Sequence, residues 1–114
     1  MTIRVLEDIR DKLRACNAIK NEREFCERWL GKSECYLRTL RLNDLHPSAD
    51  ALMTCASKLG WYADELQQSD QRHHRHWAGV FAGLRSDCVM TVERAAQAKW
   101  QGVAVTAEKP CCGV

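Results

Sequence analysis

The residues best suited to chemistry are histidines and cysteines. His73, His74 and His76 stand in the run QRHHRHW, where His73 and His76 share a helix face at i, i+3, a spacing that can chelate a metal. Arg72 and Arg75 are interleaved and repel a dication, and Asp70 is the one acid at chelating sequence distance. A solvated helix face accounts for the run equally well, so no metal site is assigned. Seven cysteines occupy positions 16, 26, 35, 55, 88, 111 and 112. Most lie in helical patterns beside apolar neighbours, where a thiol behaves as a small hydrophobe. None has a histidine or acid placed to activate it as a nucleophile. Cys111 and Cys112 are adjacent, so they could pair with each other only through a strained ring; they read as an exposed, reactive end. With no phosphate loop, paired-carboxylate motif, nucleophile elbow or cofactor fingerprint, the chain is expected to be non-enzymatic and to hold no cofactor.

The elements that carry these residues are helical. The chain has 114 residues, 46% hydrophobic and 28% charged, with a formal charge of +2, which is the composition of one globular unit rather than of a disordered segment. No apolar run reaches about eighteen residues, and acids interrupt MTIRVLEDIR, so a cytoplasmic protein with reduced thiols is expected. Ile3, Leu6, Ile9, Leu13 and Cys16 recur at steps of three and four and predict a first amphipathic helix. Asn21 and Glu24 have capping-box spacing and open a second, with Phe25, Cys26, Trp29 and Leu30 inward and Gly31 closing it in the left-handed region. Ser33 is expected to cap a short third helix with Leu37 and Leu40 inward, and Asn43 to close it at positive φ. Pro47 and Ser48 open a fourth, buried through Ala51, Leu52, Cys55, Ala56 and Leu59 and ended by Gly60; Trp61 to Leu66 add another turn or two. A long helix is predicted over about 70–101, with Trp77, Phe81, Leu84, Cys88, Val92, Ala95 and Trp100 along one stripe.

The segment EFCERWLGKSECYLRTLRLNDLHPSADALMTCASKLG, Glu24 to Gly60, resembles the Cro/C1-type (xenobiotic-response-element) helix-turn-helix family. The resemblance rests on the order Phe25-Cys26, Leu30-Gly31, Ser33, Asn43, Pro47-Ser48 and Leu59-Gly60. Cys26 stands for the small residue over which the recognition helix crosses. Two positions depart from the pattern. Cys26 to Gly31 is one residue longer than usual, which requires an extended helix or turn, and Lys32 fills a site that is usually apolar.

The resemblance implies an all-α fold, a compact bundle of four to five short helices like a lambda-repressor DNA-binding domain, followed by one long C-terminal helix. It divides the chain into a bundle over 1–69, a helix over 70–102 and a tail over 103–114. It also implies double-stranded DNA as partner. Lys32, Ser33, Glu34, Tyr36 and Arg38 would face the major groove, Arg41 or Arg28 would lie on phosphates, and Arg38 is the leading base reader. Glu34 would be repelled there unless it accepts from cytosine N4. The long helix must cover its apolar stripe against the bundle or a second copy, and its half beyond Cys88 is the candidate homodimer interface. A transcription regulator is the first reading; a helical protein-interaction module that keeps the fold without binding DNA is the second.

Overall fold

The computed structural model describes residues 3–104, and the tail expected over 103–114 lies outside it apart from the last two positions of the final helix. The described chain is a bundle of five helices: α1 (Arg4–Ala15), α2 (Glu22–Arg28), α3 (Tyr36–Leu42), α4 (Ala49–Gln67) and α5 (Arg72–Ala104). In α1 the three-four stripe buries Leu6, Ile9 and Leu13. It ends where Asn17 takes φ 64, and Ala18 N donates back to Leu13 O at 2.8 Å, satisfying an orphan carbonyl of the last turn.

α2 starts as its capping residues dictate. Asn21 Oδ1 accepts from Glu24 N at 2.9 Å, while Glu24 Oε1 accepts from Lys20 N at 2.7 Å, one residue ahead of the usual capping-box partner. At its other end Gly31 takes φ +67, as expected. The extra residue between Cys26 and Gly31 is absorbed by widening the helix end. Trp29 N still bonds Phe25 O, but Leu30 N also reaches Phe25 O at 3.2 Å, and Lys32 N closes on Cys26 O at 2.9 Å. These are five- and six-residue closures, a π-like bulge at the helix terminus.

Three boundaries differ from the sequence expectation. Ser33 does not cap α3 with its side chain. The chain makes a turn first, Tyr36 N donates to Ser33 O at 3.1 Å, and Cys35 is the cap position, with no side-chain bond. Asn43 has φ −105 and spends its amide on Thr39 O at 3.0 Å, so Asp44, at φ 52, makes the left-handed turn in its place. Gly60 does not end the fourth helix. α4 begins at the expected Ser48 cap, where Ser48 Oγ accepts from Ala51 N at 3.1 Å, and runs 19 residues through Gly60 and Trp61 to Gln67. Packing against α5 outweighs the roughly 1 kcal/mol that glycine costs a helix interior.

α4 and α5 form an antiparallel hairpin that contributes most of the interhelical packing. Its thiols Cys55 and Cys88 neighbour each other across the pair, and both are fully buried. One apolar core draws on every helix, including Leu6, Phe25, Leu37, Leu52, Leu59, Phe81 and Leu84, each contributing about 1.5–3 kcal/mol of burial. No polar side chain is buried among the described residues.

On α5 the expected stripe buries Phe81, Leu84 and Cys88 and half-buries Trp77 and Val92, whereas Trp100 is 55% exposed. The half beyond Cys88 is covered further than expected. Val92, Ala95 and Lys99 stand opposite Pro47, Ala49 and Leu52 at the start of α4, so only the last turns of α5 run past the bundle. No helix among the described residues is long and apolar enough to cross a membrane.

Candidate nucleic-acid interface

The crossing of α2 and α3 is fixed at Cys26. Its buried thiol lies within hydrogen-bonding reach of the Leu37 and Tyr36 backbone, so the first turn of α3 rides directly over it. Burial pushes this thiol up, against the smaller opposing effect of those backbone bonds. A larger side chain would force the two helices apart. The turn between them is seated on α4 by Lys32 Nζ on Asp50 at 2.9 Å and by Lys58 Nζ on Arg28 O at 2.8 Å. Lys58 also stands 4.6 Å over the Trp29 ring, which stacks on Tyr62 at 5.5 Å. Burial and then the nearby Arg28 charge lower the Lys58 pKa.

The seven residues singled out from the sequence divide by their partners. Ser33, Glu34, Arg38 and Arg28 are exposed around the turn and the outer side of α3. Glu34 is paired with Arg23 Nε at 3.0 Å, and Arg38 Nη2 rests on Cys35 Sγ at 3.4 Å. Lys32 is half-buried against Asp50, whose hydrogen bond raises its pKa, and lies 5.8 Å from the Tyr36 ring centroid. Tyr36 is half-buried; its hydroxyl accepts from Ser48 N at 3.0 Å and so ties α3 to the cap of α4.

Arg41 is held inward, on Glu7 at 3.1 Å and Glu22 at 3.0 Å, and Arg10 joins Glu22 from the other side. Partial burial acts to raise the Glu22 carboxyl, but the hydrogen bonds from Arg41 and Arg10 outweigh it and hold the group below its ordinary value. This four-residue network joins α1, α2 and α3. Nothing in local spacing reveals it, because its members are 34 and 19 residues apart along the chain.

With Lys32, Arg23 and Arg41 matched by acids, Arg28 and Arg38 are the cations of α2, α3 and the turn between them without an acidic partner among the described residues, while Lys58 of α4 is spent on Arg28 O and the Trp29 ring. An α-helix with its side chains is about 10–12 Å across and fits a major groove roughly 12 Å wide. The face can therefore present Arg38 to a base edge or phosphate, with Arg28 flanking it. No group of three metal-ligating side chains occurs among the described residues.

A family model covers residues 6–101, from the first buried position of α1 to the last turn of α5. The chain belongs to DUF6626, a family of unknown function. The DUF6626 match runs across both the α2–α3 crossing and the α4–α5 hairpin, so the long helix is part of the family unit and not an appendage to it. Neither the curated proteins nor the solved structures contain a match to the chain.

Proposed function

We propose that this DUF6626 protein is a small DNA-binding regulator of Cro/C1-like type that acts as a homodimer and reads the major groove with α3. The observation that carries this reading is the crossing at Cys26. α3 sits on α2 through a small residue, and its outer side, with Arg38, is left to solvent. Helix-turn-helix modules use this arrangement to put one short helix into the groove while the preceding helix braces it. Charge matching makes the interface weak per copy. Two unmatched cations give a salt slope of about −2 for one protomer and about −4 for a two-fold pair. Specific binding then depends on two half-sites, and the exposed Met90 and Trp100 on α5 offer apolar surface for pairing.

The test is the double variant Arg28→Ala/Arg38→Ala, with duplex binding read by fluorescence anisotropy. Retained helicity with at least about tenfold weaker binding is expected. Binding unchanged in the double variant contradicts α3 as the reader. Arg41→Ala is a separate case, since it breaks the Glu7–Glu22 network and acts through stability.

A second reading is favoured by one observation. Met53, Trp61 and Tyr62 on the outer face of α4 are exposed by 42%, 59% and 38%, an aromatic-rich surface suited to a protein partner. In that reading the helix-turn-helix is a packing solution, and binding is insensitive to salt.

A further inference from the structure

The end of α1, the last turns of α4 and the first turns of α5 enclose a cleft of about 340 Å3. Its volume falls at the lower end of small-molecule sites, which are lined by apolar and aromatic groups with a few polar ones that fix orientation. The walls here are Tyr62, Leu66, Trp77 and Phe81, with Trp77 and Phe81 edge to face at 6.3 Å. Phe81 belongs to the core, but Trp77 and Leu66 are only half-buried, so aromatic and aliphatic surface faces an open space that the fold does not fill.

The polar side of the cleft carries imidazoles and no acid. His73 and His74 line it, and Arg72 and Arg75 flank them in the first turn of α5, which holds no acid. No acidic side chain lines the cleft. His74 is also pre-positioned. Its Nδ1 lies 2.8 Å from Ser69 Oγ, and Ser69 O in turn accepts from Arg75 at 3.0 Å. In the tautomer in which the Ser69 hydroxyl donates to Nδ1, Nε2 carries the proton and is the nitrogen left to donate to a ligand.

We propose that this cleft binds a small planar aromatic carboxylate. One or two fused rings lie against Trp77 and Tyr62, and the carboxylate accepts from the ring N–H groups of the histidine side. The proposal rests on the cleft alone and stands whether or not α3 binds DNA.

Calorimetric titration of the full chain with 1-naphthoate tests it, with 1-naphthalenemethanol as the uncharged analogue. Saturable binding of naphthoate is expected, about tenfold weaker for the alcohol and about tenfold weaker in His74→Ala. Ala18→Trp fills the cleft from an exposed position and should abolish binding while leaving the helical circular dichroism intact. Amide shifts mapped by NMR should centre on Trp77 and His74. Absence of saturation up to about 5 mM naphthoate overturns the proposal. So do equal affinities for acid and alcohol, or undiminished binding in Ala18→Trp; if that variant does not fold, the acid–alcohol comparison and His74→Ala decide the matter.

Discussion

The α1–α3 region and the α4–α5 hairpin solve the same folding problem differently. The first is built from helices of 12, 7 and 7 residues, each bounded by a local device: Asn17 at positive φ, the Asn21 cap, Gly31, Asp44. Between these devices, charged side chains are used across helices, with Arg10, Glu22, Arg41 and Glu7 linked in sequence. The hairpin has 19- and 33-residue helices, and its inner face is held by apolar contacts and a buried thiol pair. Short helices depend on their ends, because few internal hydrogen bonds are available to offset nucleation, whereas long packed helices override unfavourable residues inside them. Gly31 and Gly60 are the two sides of that difference.

The largest expected effect would break the core that joins the regions. Phe25→Ala removes a fully buried ring from α2 and should cost about 3–5 kcal/mol in urea denaturation; a loss under about 1 kcal/mol would mean that the α2 packing is wrong. Gly31→Ala comes next. The site has room for a methyl group, with Thr54 Cγ2 at 3.8 Å, but φ +67 strains any L side chain, so a loss of about 1–2 kcal/mol is expected from backbone alone.

Acid should weaken the first region through Glu22. Its folded carboxyl titrates below the ordinary value, so the stability it contributes is complete above that value and fades as pH falls through the lowered one. Comparing Glu22→Gln with the parent chain checks this: the gap in stability should be present at neutral pH and narrow on acidification below about pH 4. A gap independent of pH would remove the network from the account. The smallest effect has the opposite sign to that at Gly31. Gly60→Ala gains helix propensity of up to about 1 kcal/mol, while its Cβ, 2.8 Å from Arg85 Nε, displaces only a flexible exposed side chain; the net should lie between neutral and slightly stabilising. A clear destabilisation would show that Arg85 is fixed by more than its contact with Gly60.

Much of the fold could be read from local sequence because much of it is locally encoded. The Leu6–Ile9–Leu13 stripe, Asn21, Gly31 and Ser48 did in space what their types and spacing implied. The misread boundaries were at residues with two available uses. Ser33 lost its capping role to a preceding turn, Asn43 spent its amide on Thr39 and passed positive φ to Asp44, and Gly60 was carried by tertiary packing. At the candidate interface Ser33, Glu34 and Arg38 are exposed, but spacing could not tell which cations were already matched. Arg41 and Lys32 look alike in sequence to Arg38, yet they pair with acids 34 and 18 positions away. The cleft at His73 and His74 was also illegible, since Trp77 and Phe81 of the same helix are completed by Tyr62 and Leu66 from α4 and by the end of α1.

The most direct test of DNA binding through α3 is a salt titration of the unmodified protein on a random-sequence duplex, with light scattering on the same sample to give its mass. The account predicts a dimer whose logarithmic affinity falls with a slope of about −4 against the logarithm of salt concentration. Absence of duplex binding at low salt would contradict it.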